Sequence, residues 1–154
     1  MRLSEHFTLD ELTTTNNSTL RAKNHEEGAA HAAKLKEVCT VLLEPIRKKW
    51  GPIRVTSGYR GPALNAATKG ASPTSQHAKA EAADIVPNAA PLEDVMAWIV
   101  KESGIPYGQV ILEKRGGPHW QWIHISLGHP HRAKEKCGQA LICPDGKSYL
   151  PYKG

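Results

Sequence analysis

Residues 109–126, QVILEKRGGPHWQWIHIS, read as two short strands around a turn. Gln109–Glu113 and Trp120–Ser126 are rich in β-branched and aromatic residues, and Gly116-Gly117-Pro118 breaks the run between them. Upstream, Ile53, Val55 and Ser57 alternate as another strand, and Ala82–Val86 forms a fourth. Helical patterns lie elsewhere. Thr8-Leu9-Asp10-Glu11 is a capping box that opens a short helix. From Glu26 onward, Ala29, Ala33, Leu35, Val38, Leu42 and Ile46 recur at threes and fours. Pro45 is expected to kink or end that helix early, and Gly51-Pro52 to stop it. Leu92, Val95, Met96 and Ile99 mark another helix, with Pro91 at its first position and its end near Gly104. Residues 13–25 and 58–76 read as loops; the second is rich in Gly, Pro, Ser and Asn, the kind of long segment that carries function. Helices first and short antiparallel strands later define an α+β class.

The chain has 154 residues, 40% hydrophobic and 23% charged, which suits one folded domain and excludes a disordered tail. No apolar run approaches the ~20 residues of a spanning helix. Residues 1–12 carry Glu5, Asp10 and Glu11 and no apolar core, so no secretory signal is expected and synthesis is expected in the cytoplasm. Three cysteines, Cys39, Cys137 and Cys143, do not make a disulfide framework, and the lack of a CxxC pair argues against a thiolate zinc site. The net charge of +5 suits a polyanionic partner: nucleic acid, an anionic membrane surface or an acidic cell wall. Nucleic acid is disfavoured, because the basic residues are not interleaved with aromatics and no binding motif is present. Residues 1–128 are expected to form the main domain. Residues 129–154 are expected to be a C-terminal extension, a small hairpin turned at Pro144-Asp145-Gly146 and packed on the same domain.

Three stretches could carry chemistry: Ser57-Gly58-Tyr59-Arg60; Ser75-Gln76-His77 with Asp84 seven residues after the histidine; and Trp122-Ile123-His124-Ile125-Ser126. Zinc takes nitrogen and oxygen ligands at ~2.0–2.2 Å, and a catalytic site keeps three protein ligands and one open position. Asp84 stands in an apolar strand, where a lone charge is costly and a cation would neutralise it. His124 is likewise embedded between Ile123 and Ile125. The same spacing also fits His124 as a core histidine and Asp84 as a turn cap or a partner of Arg60.

The segment 57–85, SGYRGPALNAATKGASPTSQHAKAEAADI, followed about forty residues later by WIHIS, resembles the peptidase M15 family. These are the zinc D-Ala-D-Ala carboxypeptidases and related peptidoglycan peptidases, many phage endolysins among them. The likeness begins at LSEHFTLDEL (residues 3–12) and runs to about Leu127. The family motif Ser-x-His-x-x-Gly-x-Ala-x-Asp maps onto Ser75, His77, Ala80, Ala82 and Asp84, with Ala80 in place of glycine. A methyl group there is a small perturbation unless the backbone needs positive φ. The resemblance implies a Hedgehog/DD-peptidase-like fold, a small antiparallel sheet flanked by helices with a zinc cleft. It implies His77, Asp84 and His124 as Zn²⁺ ligands. It implies Arg60 as the group holding a substrate carboxylate or oxyanion. Ser75 would stand beside the ligands and orient the site, and Tyr59 and Trp122 would line the cleft. The implied activity is hydrolysis of peptide bonds in peptidoglycan peptide stems, of the D-Ala-D-Ala carboxypeptidase or L-Ala-D-Glu endopeptidase kind. The implied actor is a monomer that reaches the wall after release from the cell.

The general base is the departure. Many family members carry Asp or Glu three residues before the last ligand histidine, and here that position is Gln121. Gln121 cannot take a proton, which leaves room for a catalytically inactive zinc-binding module acting on the wall or in a phage particle. Glu113, closing a Gln-x-Ile-x-Glu strand, is the candidate base by likeness to the shorter phage-type members. A tight turn at Gly116-Gly117 pairs Glu113 with Trp120, ~13 Å from His124 along the strand at 3.3 Å per residue. A turn centred on Pro118-His119 pairs Glu113 directly with His124, within ~5.5 Å. The second register is the one expected, since it alone brings Glu113 to the metal. His119 is a further candidate, to donate a proton or steady the transition state.

Overall fold

The computed structural model describes residues 1–68, 71, 75–115, 121–128 and 137–153. Among the described residues six α-helices, α1 (Leu9–Leu12), α2 (Arg21–Ala29), α3 (Ala32–Glu37), α4 (Glu44–Trp50), α5 (Pro62–Ala67) and α6 (Leu92–Lys101), accompany six strands. The strands are β1 (Ile53–Ser57), β2 (Ala82–Pro87), β3 (Tyr107–Lys114), β4 (Gln121–Leu127), β5 (Gln139–Cys143) and β6 (Leu150–Pro151). They form one sheet in the order β1-β2-β4-β3-β5-β6. The fold is therefore α+β. The sheet is not wholly antiparallel, however: β3 and β5 run parallel, because the chain crosses over β3 after leaving β4.

Alternation along the strands splits the sheet into a covered and a bare face, because successive side chains point to opposite sides. Ala83 and Ile85 of β2, Val110 and Leu112 of β3, and Ile123, Ile125 and Leu127 of β4 join the buried core. α1, α4, α6 and a π-helical turn, Val38–Leu43, pack over strands of this face. The residues between them (Asp84, Gln109, Ile111, Glu113, Trp122 and His124) line a cleft on the other face. β5 obeys the same rule: Gln139 and Leu141 line the cleft, while Ala140 and Ile142 pack on the core.

The helical layer departs from its sequence pattern in two places. First, helix begins at Arg21 rather than Glu26, inside a stretch expected to be loop, and it breaks at Ala30-His31. Second, the stripe from Val38 to Ile46 neither ends nor kinks simply at Pro45. Proline has no N–H to give. The π-helical turn immediately before it shifts the bonding by one residue, so that the Glu44 N–H donates to Cys39 C=O and Pro45 falls in the first turn of α4. Cys39 is wholly buried in that turn, and burial pushes its thiol up to about 12. The capping box at Thr8 forms as expected, with Thr8 and Glu11 exchanging side chain-to-backbone bonds of 3.1 and 3.3 Å. The segment 58–76 contains α5, which Pro62 starts after Gly61.

Ala80 is the one non-glycine residue among those described that lies in the left-handed region, at φ 60°. It closes the turn that carries the chain from His77 into β2. Its amide faces the His77 carbonyl at 3.4 Å, and Glu81 N–H donates to Gln76 C=O at 3.0 Å. The motif glycine is thus explained by the backbone, and Ala80 carries a cost of about 1 kcal/mol for its Cβ in this conformation. Its methyl is fully buried and returns about 0.8 kcal/mol. The two terms nearly cancel. Ala80→Gly is therefore expected to lie within about 1 kcal/mol of the parent in urea unfolding. Ala80→Val adds a β-branch and volume to the same site and is expected to lose about 2 kcal/mol or more.

Candidate metal centre and cleft

Antiparallel pairing of β2 with β4 sets Asp84 directly opposite His124. Side chains of such a pair share a face, and both point into the cleft. His77 arrives from the loop before β2. Asp84 Oδ1 lies 3.0 Å from His124 Nδ1 and 3.2 Å from His77 Nε2. The two imidazole rings stand edge to face, 5.1 Å apart. One ligand atom from each of the three residues falls within 4.8 Å of the other two. Two ligands at ~2.05 Å from a tetrahedral zinc ion are ~3.3 Å apart, close to the observed spacings.

The outer ring nitrogens decide what the inner ones can do. His77 Nδ1 is 2.8 Å from Gly58 C=O, and His124 Nε2 is 2.9 Å from Gln76 Oε1. Both partners only accept, so each neutral imidazole donates outward and turns a lone pair toward Asp84. Two lone pairs and a carboxylate at such distances repel unless a proton or a cation lies between them. Burial works to raise the Asp84 carboxyl, but wherever the His77 and His124 rings instead bring positive charge and N–H donation to it they override burial and hold the acid well below its usual range, the pull a cation between them would also exert. This donor set fits zinc, and its outward bonds are those that orient metal-binding histidines.

The loop that carries His77 is wired to its neighbours. Tyr59 N–H donates to Leu12 C=O at 2.7 Å, and a Cβ on Gly58 would collide with the Leu12 backbone. Glycine is needed there for that close approach. Ser75 Oγ accepts from Arg60 Nη2 at 3.1 Å and from His77 N–H at 3.2 Å, tying the guanidinium to the ligand. Arg60 also donates to Asn65 Oδ1 and Ser57 Oγ at 3.3 and 3.4 Å. All three partners are neutral. Burial pulls the Arg60 guanidinium down from its ordinary value and the Asp84 charge acts the other way; it remains a cation without a contacting counter-ion among the described residues. Asn24 holds both peptides that flank Arg60. Its Nδ2 donates to Tyr59 C=O at 2.9 Å and to Thr13 C=O at 3.0 Å, and its Oδ1 accepts from Gly61 N–H at 2.8 Å.

Glu113 lies in neither register expected for it. It pairs with Trp122, while His124 pairs with Ile111. Glu113 is thus diagonal to His124 on the same face, ~7–8 Å between backbones and within side-chain reach. Both expected registers, with Trp120 and with His124, are corrected to the one between them. The Glu113 side chain is 5% exposed, and its Oε2 is buried without a hydrogen bond among the described residues. Burial pushes its carboxyl above the usual value, Arg115 opposes that, and the Asp84 charge adds to it. The Tyr149 hydroxyl lies beside the carboxyl, and Glu113 in turn helps burial push that phenol up to about 12.

Trp122 lines the cleft, as do Arg60 and Ser75, in an opening of about 660 Å³. Tyr59 does not: it is 3% exposed and stacks near His31, 5.1 Å between rings, on the core side of its loop. The aromatic that neighbours Arg60 in sequence is therefore a core residue. His119 lies outside the described residues. Sequence reasoning missed Gln76, Asn24, Gln139 and Tyr149. Gln76 sits beside a candidate ligand and was within reach of inspection. Asn24 lies in a polar run with nothing to separate it from a loop residue, and Gln139 and Tyr149 reach the cleft only through the parallel β3–β5 pairing.

Fold and site together define an α+β protein with a His–Asp–His group, able to hold a metal, on the bare face of its sheet. The family model described as Peptidase M15 matches residues 5–126, and the chain belongs to that family. Its peptidases are zinc-dependent in general. A comparison with curated proteins returns no match.

Glu113 provides a test of this geometry that needs no substrate. A carboxyl raised on folding favours the native state below its unfolded value and loses that contribution as pH rises through the folded one. At pH 7 the buried charge, only partly offset by Arg115 and Tyr149, therefore works against folding. Glu113→Gln is expected to raise the unfolding free energy at pH 7, in chelator, by about 1 kcal/mol. The gain should shrink as pH falls toward ~4.3. Denaturant melts at a series of pH values measure it.

Proposed function

We propose that this protein is a zinc-dependent peptidase that hydrolyses peptide bonds of peptidoglycan peptide stems, as a D-Ala-D-Ala carboxypeptidase or an L-Ala-D-Glu type endopeptidase. The observation that carries the reading is the convergence, on one sheet face, of the buried Glu113 carboxylate, one oxygen of which lacks a hydrogen bond among the described residues, with the His77–Asp84–His124 group. The arrangement is consistent with the Hedgehog/DD-peptidase-like architecture and zinc cleft implied by the family. We read residues 1–128 as the catalytic domain and 129–154 as an extension that contributes cleft residues. The chain acts as a monomer, and on the wall after release from the cell, in the manner of a phage endolysin. Among the described residues no helix is long and apolar enough to cross a membrane.

His77, Asp84 and His124 would hold the ion. When bound, zinc supplies Lewis-acid polarisation of the scissile carbonyl and acidifies water. The remaining steps belong to side chains. Glu113 accepts the proton of the attacking water, and burial, by making it a stronger base, suits it to that task. The same carboxyl then returns the proton to the departing amine. Arg60, braced by three neutral acceptors, keeps its charge for a substrate carboxylate or the oxyanion. Ser75 maintains the relation between Arg60 and His77, and Trp122 supplies an apolar wall. His119 remains a candidate proton donor by family likeness.

The second reading, an inactive zinc module, is favoured by Gln121 alone. Gln121 alternates with Trp122 along β4 and is not among the cleft-lining residues, so it is no substitute base. The cleft-facing Glu113 supports catalysis instead.

Purified peptidoglycan should lose stem peptides on incubation with the protein, as read by mass analysis of the fragments. A chelator should stop the release and added Zn²⁺ restore it. Glu113→Ala should still bind one equivalent of zinc but lose about 10²–10⁴ in kcat/KM. Unchanged turnover in that variant rejects Glu113 as the base; intact wall with zinc-loaded parent protein rejects the peptidase.

A further inference from the structure

The cleft has a second cation that family likeness does not explain. Arg115 follows β3 and lines the opening. Its guanidinium lies over the Trp122 ring, 5.3 Å from the centroid, and the turn at Gly146 abuts its aliphatic stem. Stacking against an aromatic face restrains the side chain without consuming its hydrogen bonds. Among the described residues its ion-pair partner is Glu113, whose Oε2 stands 3.9 Å from Arg115 Nε, beyond hydrogen-bond distance. Among the described residues no acceptor takes a hydrogen bond from Arg115, and its side chain is 42% exposed. The neighbouring Lys114, by contrast, closes a 2.7 Å pair with Glu93.

Arg60 follows β1 and Arg115 follows β3. β2 and β4, which carry Asp84 and His124, run between them. β1 and β3 run in opposite directions, so Arg60 and Arg115 leave the sheet at opposite ends of the row formed by Ser57, Asp84, His124 and Ile111. Both guanidiniums line the cleft that holds the metal-binding group, one on each side of it, and neither has a carboxylate within hydrogen-bond distance among the described residues. Tyr149, from the segment beyond the family match, stands on the Arg115 side of the cleft, its hydroxyl beside Glu113.

We propose that Arg115 is a specificity-determining residue that reads a free carboxylate on the substrate. The cleft then prefers a peptide with an acidic group on the β3 side of the bond cut, in addition to whatever Arg60 holds. The inference rests on the peptidase reading for the ligand being a peptide. A planar, always-charged fork held on a ring matches a carboxylate with two parallel hydrogen bonds. In peptidoglycan stems the D-glutamyl residue, linked through its side chain, leaves its α-carboxylate available for such a contact.

The test uses two synthetic stem pentapeptides that differ only in whether that D-glutamyl α-carboxylate is free or amidated. Binding is measured calorimetrically on zinc-loaded protein carrying Glu113→Gln, so that turnover does not interfere, with and without Arg115→Gln. Cleavage is followed separately with Glu113 intact. The free acid should bind at least about tenfold more tightly than the amide, the ratio expected of one charge-assisted pair. Arg115→Gln should bring that ratio near one, and Arg115→Lys, which keeps the charge but loses the fork, should restore part of it. Equal affinities, no binding of either peptide, or a preference that survives Arg115→Gln overturns the proposal. If the ratio behaves as expected while neither peptide is cleaved, the peptidase reading fails and the subsite stands. If both are cleaved alike and bound alike, the subsite fails and the peptidase reading stands.

Discussion

A carboxylate at the centre of a sheet governs this structure. Asp84 lies in β2 between two other strands, where an isolated charge would be untenable. Two imidazoles from different parts of the chain close on one of its oxygens, and their lone pairs face it because their outer nitrogens are committed elsewhere. The cluster is therefore a set of ligand atoms that a cation would satisfy. Such a group is expensive to fold and chemically useful for the same reason.

The segment between β1 and β2 exists to hold that cluster in shape. Gly58 lets its backbone press against the end of α1, Ala80 accepts a left-handed conformation to aim His77, and Ser75 links the ligand to Arg60. Asn24 pins the peptide on each side of Arg60 from a helix far away in sequence. Each device spends a little stability (an unfavourable φ, a buried amide) to fix a position. The helical layer and the apolar strand face supply the stability that offsets them.

Beyond the metal group, the bare face is an electrostatic arrangement in which burial and charge work against each other. Glu113 keeps an unpaired oxygen in a nearly closed setting, with Arg115 near enough to moderate it but too far to neutralise it. The C-terminal strands complete this side: β5 extends the sheet next to β3, and Tyr149 leans over the carboxyl. The family match ends at residue 126, so the wall facing Glu113 is built by residues outside the shared region.

The set His77, Asp84 and His124 came from the family resemblance, and the structure brings the three together as a group that could hold a metal. Local sequence was enough for most element types, the capping box at Thr8, and the alternation of β2, β3 and β4. Those follow from chemistry carried by neighbours within a few positions. It was not enough for α2, which begins in a polar run, or for the π-helical turn that accommodates Pro45. It also misplaced Tyr59, whose neighbours do not reveal which side of a loop meets the core. The pairing of Glu113 shows the limit most clearly. The partners weighed, Trp120, Trp122 and His124, are two residues apart in sequence, and a two-residue slip leaves every apolar side chain on the core side. Hydrophobic pattern is blind to such a slip. Only the packed sheet, with β4 held between β2 and β3, selects the offset that leaves Glu113 diagonal to His124. Residue types and faces were thus determined along the chain; the distances between them were decided by strand pairing across it.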